Sequence, residues 1–258
     1  MGMQPPSGPP HRIFIAGASG AIGRRLVPQL LAAGYEVHGM SRSRERAAEL
    51  THLGAHAVQA DVYDRDALLR AVGEARPDTV MHQLTDLPQS LDAGLSEAVL
   101  ASNARVRREG GRNLVDAALA AGATCFIAQS LAWVYAAAAP DHGPHTEEDL
   151  LDTQAAGSAS LTVAGVVALE DLTLRTPRLR GVVLRYGMLY GPGTWSSAAS
   201  GNVPVHVDAA ARAALLALQS SASGVFNIAE ERGLISAAKA RRELGWRADY
   251  RWNDQLGR

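Results

Sequence analysis

Short apolar runs alternate along the chain with longer stretches whose apolar residues recur at helical spacing. The first run, Arg12 to Ala16, precedes a glycine turn and a periodic stretch through Ile22, Leu26, Leu30 and Leu31, with Gly34 where a helix stop is expected. Further strands are expected over 35–40, 56–60, 78–82, 124–128 and 181–185, and helices over 44–53, 66–73, 95–121 and 161–174. Pro28 predicts a kink in the first helix, because it removes one ladder hydrogen bond. Short buried strands alternating with helices indicate βαβ units, and so an α/β fold: a Rossmann-type, doubly wound parallel sheet. Two segments, 136–160 and 191–202, break the alternation as loops rich in Ala, Gly, Pro or Ser. Both follow strand ends, where an open α/β sheet binds its ligands.

The 258 residues suit one or two domains. The reading here is a flexible lead-in over 1–10 and one domain over 11–258, whose elements from about 186 onward form a reduced substrate lobe. With 47% hydrophobic and 20% charged residues the chain is not of the disordered class. Lys+Arg 25 against Asp+Glu 26 leaves a net charge of −1, which excludes a strongly basic nucleic-acid binder and a polybasic membrane patch. The one cysteine, Cys125, excludes an internal disulfide and fits a reducing compartment. No run approaches the roughly 18 apolar residues of a membrane span, and the first ten residues lack the apolar centre of a signal peptide. A cytoplasmic location is expected.

Gly17-Ala-Ser-Gly20-Ala-Ile-Gly23 stands between the first strand and the first helix. In that context the first glycine permits the tight turn, the second admits a pyrophosphate to backbone N–H groups, and the third lets helix and strand pack closely. The helix N-terminus adds partial positive charge for the anion. Gly17, Ser19, Gly20, Ala21, Ile22 and Gly23 are therefore the expected phosphate-binding residues. The second strand decides the nucleotide, because an NAD site places an acid at its end. Here the chain reads Met40-Ser41-Arg42-Ser43-Arg44, with no acid before Glu45. Ser41 stands in the acid's place, and Arg42 or Arg44 can pair with a 2′-phosphate, so NADP(H) is expected over NAD(H). Asp61 and Val62, after the third strand, are expected at the adenine.

On these residues the chain resembles the extended short-chain dehydrogenase/reductase superfamily, of the NAD-dependent epimerase/dehydratase type. The resemblance also rests on 78–82, Asn103, 130–135, Arg185-Tyr-Gly-Met-Leu-Tyr-Gly-Pro-Gly193, His206-Val-Asp208, Gly224-Val-Phe-Asn-Ile228 and the segment from Lys239 to Trp246. It implies a Tyr-x-x-x-Lys pair, the tyrosine exchanging a proton with the substrate and the lysine holding the nicotinamide ribose. Counting back from Glu170-Asp-Leu puts that pair at Thr162 and Val166. The chain has no Tyr-x-x-x-Lys, and Lys239 is its one lysine. The superfamily's active-site serine falls at Ser130 or Leu131. Ser130 and Tyr135 are the candidate catalytic residues. The segments from Gly193 to His206 and from Ile228 to Lys239 are shorter than the superfamily's substrate-covering insertions, which implies an open site or a lid from a partner.

Three functions are compatible with this pattern. The first is a slow or atypical NADP(H)-dependent oxidoreductase acting on a small carbonyl-type metabolite. The second is a nucleotide-bound sensor or scaffold without turnover, and the third an isomerase or lyase. His142 and His145, with Glu147, Glu148 and Asp149, read as a solvated acidic loop, so no metal site is assigned. Arg105, Arg108 and Arg112 read as one solvated helix face. The 161–174 helix is apolar nearly all round and must be buried on more than one side. The resemblance makes this helix, with the one bearing Asn103, a two-fold homodimer interface.

Overall fold

The computed structural model describes residues 11–88, 94–139 and 141–252. The lead-in expected over 1–10 lies outside them. In chain order the elements are β1 (Arg12–Ala16), α1 (Ala21–Ala32), β2 (Glu36–Ser41), α2 (Arg44–His52), β3 (His56–Gln59), α3 (Arg65–Ala75) and β4 (Thr79–His82). There follow α4 (Glu97–Arg105), α5 (Gly111–Ala120), β5 (Cys125–Leu131), α6 (Ser158–Arg175), β6 (Arg180–Tyr186), β7 (Met188–Tyr190), β8 (Pro204–His206), α7 (Val207–Gln219) and β9 (Gly224–Ile228). Seven strands form one sheet in the order β3-β2-β1-β4-β5-β6-β9, every pair parallel. Strands β7 and β8 make a separate parallel pair beyond its carboxyl edge. No described helix is long and apolar enough to cross a membrane.

Alternation along β1 sets the two layers. Ile13 and Ile15 join the core with Leu26 and Leu30 of α1 and the alanine-rich α7, while Phe14 and Ala16 join Leu68 and Val72 of α3 and Leu114 of α5. Small residues on α7 let it approach α1, and the pair is locked by Arg25 of α1, whose Nε donates to Asp208 at 2.6 Å. Helix α1 runs through Pro28 as one helix. Helices α4 and α5 correspond to the single expected 95–121 helix, joined through a wide π turn over Val106–Gly110. Such turns are rare in helices and favour functional places. Strands β7, β8 and β9 and helix α7 go beyond the elements read from the sequence.

His82 ends β4 wholly buried, its Nε2 donating at 3.4 Å to the Val106 carbonyl on the wide turn. Burial pushes its pKa down to about 4, and the positive charge of nearby Arg107 adds to this. The folded-state value lies below the ordinary 6.5. This contribution is therefore fully present above pH 6.5 and is lost as the pH falls toward 4, by about 3 kcal/mol. Unfolding free energies of the wild type and His82→Gln, measured at neutral pH and near pH 4.5, test this. The variant is expected to lose roughly 2–3 kcal/mol less than the wild type over that interval. Equal losses would contradict the assignment.

Candidate functional site

A cleft opens at the carboxyl ends of β1, β2 and β4. Its volume is about 410 Å³ and its walls include Gly17, Ser19, Gly20, Ser41, Arg42 and Val62. That is ligand-sized, and it lies where an open α/β sheet takes its ligand. Gly17 has φ +92°, and a Cβ there would collide with the Gln83 carbonyl at the end of β4. A Cβ at Gly23 would strike the Ala18 carbonyl. No side chain caps the N-terminus of α1 at Gly20, so its first N–H groups are left for an anion.

At the far end of the cleft, Ser41 Oγ accepts from the Ser43 N–H at 3.3 Å and lies 3.4 Å from Ser19 Oγ. Arg42, exposed, reaches Asp86 across the opening at 3.4 Å. Arg46 lines the wall one helical turn on, whereas Arg44 stands exposed outside it. Ala21, Ile22, Gly23 and Asp61 are not part of the lining. Ile22 is part of the core, and Asp61 Oδ1 accepts from the Tyr63 N–H at 2.9 Å, shaping the turn after β3. Tyr63, Gln83, Thr85, Asp86 and Val106 line the cleft without having been singled out in the sequence. Asn103 holds the Asp86 segment by accepting from the Asp86 N–H at 3.0 Å, and Ser102 also donates to the Asp86 carboxylate.

Ser130 and Tyr135 belong to a different assembly. In the β5–β6 register Ser130 sits opposite Arg185. Arg185 grips Glu170 of α6 through Nε at 2.9 Å and Nη2 at 2.6 Å, with both side chains about 95% buried. Ser130 Oγ donates to the same carboxylate at 2.6 Å. Arg185 Nη1 donates to Tyr135 Oη at 2.8 Å, and Tyr135 donates its own proton to Asn227 Oδ1 at 2.7 Å. Burial alone would lower the Arg185 pKa, but the hydrogen bonds and charge of Glu170 outweigh it and hold the guanidinium above its ordinary value. Burial also raises the Tyr135 hydroxyl. Leu131 packs with Val134, Val163 and Val166, and Val166 is wholly buried. The Lys position of α6, Val166, therefore faces an apolar cluster.

The loops are partly ordered by contacts. His142 and His145 both approach Asp149, at 3.2 and 3.3 Å, and the His145 ring stacks on Tyr135. Trp195, in the 191–202 segment, donates to the Pro88 carbonyl at 3.0 Å and so ties that segment to the chain after β4.

Comparison with known proteins agrees with this geometry. The family model described as NAD dependent epimerase/dehydratase family matches residues 13–204. A Streptomyces protein named 3-diazoavenalumate denitrifying reductase is 39% identical over 242 residues, covering 85% of this chain and 76% of its own. Among solved structures, UDP-glucose 4-epimerase of Thermotoga maritima is 20% identical with a TM-score of 0.76, over 93% of this chain and 94% of its own. The Thermus thermophilus UDP-glucose 4-epimerase, solved with NAD, is 21% identical with a TM-score of 0.74, over 93% and 95%. With a Rossmann-like sheet, the glycine turn and a family match over most of its length, the chain belongs to the NAD-dependent epimerase/dehydratase family.

Proposed function

We propose that this protein is a cytoplasmic, NADP(H)-dependent reductase that passes hydride to an electrophile requiring no proton from the enzyme, with an aryl diazonium group as the type. The observation that carries the reading is that neither α6 position where a proton-donating tyrosine and its lysine would stand, Thr162 or Val166, carries a group that ionises near neutral pH. Thr162 does not ionise near neutral pH, and Val166 lies wholly buried in the cluster of Val134 and Val163. A carbonyl acceptor must be protonated as hydride arrives, and a positioned general acid is worth about 10²–10⁴-fold in that step. A bound reduced nicotinamide would supply the hydride, whose electron pair becomes the new C–H bond while dinitrogen leaves with the C–N pair, so no proton is consumed. The name of the 39% identical Streptomyces reductase points to the same chemistry.

The chain's own residues would do the binding. The Gly17–Gly20 turn and the uncapped α1 N-terminus fit a pyrophosphate. Ser41, Ser43, Arg42 and Arg46 offer hydroxyls and cations, and no carboxylate stands at the end of β2, which favours a 2′-phosphate over a free ribose. Ser130 and Tyr135 are the hydroxyls open to a carbonyl acceptor, but their protons are engaged by Glu170 and Asn227. In this reading they position the β5 end. We extend the proposal to a homodimer through α4, which carries Asn103, and α6, whose Leu174 is 40% exposed. Light scattering at twice the chain mass would support the dimer, and the monomer mass would exclude it.

Two measurements test the reading. Turnover of an aryl diazonium salt with NADPH is expected to exceed that of the matching aldehyde by at least about 100-fold, the share a general acid would supply. Comparable rates would contradict the proposed substrate class. Arg42→Ala and Arg46→Ala are each expected to weaken NADPH binding roughly tenfold, while NADH binding stays level. A parallel loss for both coenzymes would remove the two arginines as readers of the 2′-phosphate.

A further inference from the structure

Arg107 lies on the wide turn between α4 and α5 and is only 2% exposed, while its neighbours Arg105 and Arg108 point to solvent. Its Nε and Nη1 are enclosed without a hydrogen-bond partner, and no hydrogen bond engages its remaining nitrogen among the described residues. Burial pushes its pKa down to about 10, with the charge of Glu170 opposing, so it is a cation at neutral pH. Glu170 does not satisfy it, since that carboxylate is already held in two places by Arg185 and also accepts from Ser130. A buried cation without hydrogen bonds is expensive, and a native fold that keeps one has a use for it.

What surrounds Arg107 shows what it lacks. Val106, the preceding residue, lines the coenzyme cleft. His82, neutral and within reach of the Arg107 charge, has an unpartnered Nδ1, and Gln83, which follows it, lines the cleft. These groups gather at the carboxyl end of β4, across the glycine turn from Ser41, Arg42 and Arg46. A dinucleotide with its adenosine at β2 and its pyrophosphate on the turn carries its second nucleoside over β4 and β5. Helix α6 brings no cation to that half, because Val166 is apolar and Glu170, one turn later, is paired.

We infer that Arg107 is the cation that binds the oxygen atoms of the second nucleoside half of the coenzyme, a role the sequence of α6 leaves unfilled. The inference rests on the coenzyme reading above. Arg107 shares the inward face with the buried Asn103, Ala104, Gly110 and Gly111 at three- and four-residue spacing, between the outward Arg105 and Arg108.

The test is the binding of two probes to the wild type and to Arg107→Met: NADPH, and adenosine 2′,5′-bisphosphate, which lacks the second nucleoside. The variant is expected to bind NADPH at least about tenfold more weakly and the bisphosphate as well as the wild type does. Without ligand it should melt no lower than the wild type, because the lost group is an unpaired buried cation. Arg107→Lys should recover part of the NADPH affinity. In the wild type, the Arg107 Nε–H resonance should move with NADPH and stay in place with the bisphosphate, which keeps the test open if the methionine variant does not fold. Unchanged NADPH binding by the variant, or an unmoved resonance, would overturn the role of Arg107 alone. A wild type that binds neither probe would overturn the coenzyme reading together with it.

Discussion

A carboxylate and a guanidinium, both almost wholly withdrawn from water, hold the carboxyl end of the sheet together. Glu170 on α6 and Arg185 on β6 meet through two hydrogen bonds, and each holds a further partner. Ser130 of β5 donates to the carboxylate, and the third guanidinium arm holds Tyr135, which in turn holds Asn227 of β9. One ion pair thus fixes α6 against β5, β6 and β9, and sets the start of the loop that follows β5. Such a pair contributes little net stability compared with a hydrophobic substitute, but removing one partner strands the other and costs about 3–5 kcal/mol. Its value is positional: the carboxyl ends of β5, β6 and β9 are referred to it.

That arrangement also commits groups that would otherwise be free for chemistry. The Ser130 and Tyr135 hydroxyls spend their protons inside the network, and the neighbouring face of α6 is apolar around Val163 and Val166. What faces the cleft includes an uncapped helix end, a glycine turn with no room for side chains, and cations at its β2 end. An α6 face without a proton donor suits a reaction whose driving electrons arrive with the coenzyme and whose leaving group needs no help.

The strand and helix alternation, the glycine turn and the absence of an acid after β2 were legible because each is written in neighbouring residues. Local spacing also gave the outward face of Arg105, Arg108 and Arg112, all exposed in the fold. The same spacing put Arg107 on the opposite face, with the buried Asn103, Ala104, Gly110 and Gly111, but what a buried arginine there lacks is visible only in the fold. The Glu170–Arg185 pair was hidden for another reason. Its partners are 15 residues apart on a helix and a strand, and only the β5–β6 register brings Ser130 to them. Asp86 joined the cleft wall because Asn103, 17 residues on, holds its backbone, a contact no local pattern encodes. Strands β7 and β8, three residues each, are too short to show a period.

Everything proposed for the chemistry turns on where the hydrogen of the new bond comes from. Reduction of an aryl diazonium salt in D₂O with unlabelled NADPH, and in H₂O with NADPH deuterated at the transferring position, followed by mass analysis of the arene, answers this directly. The account predicts one deuterium from the labelled coenzyme, none from the solvent, and a rate that changes with the coenzyme's isotope and not with the water's. Deuterium entering from D₂O, or a large solvent isotope effect, would show a proton donor at work and contradict it.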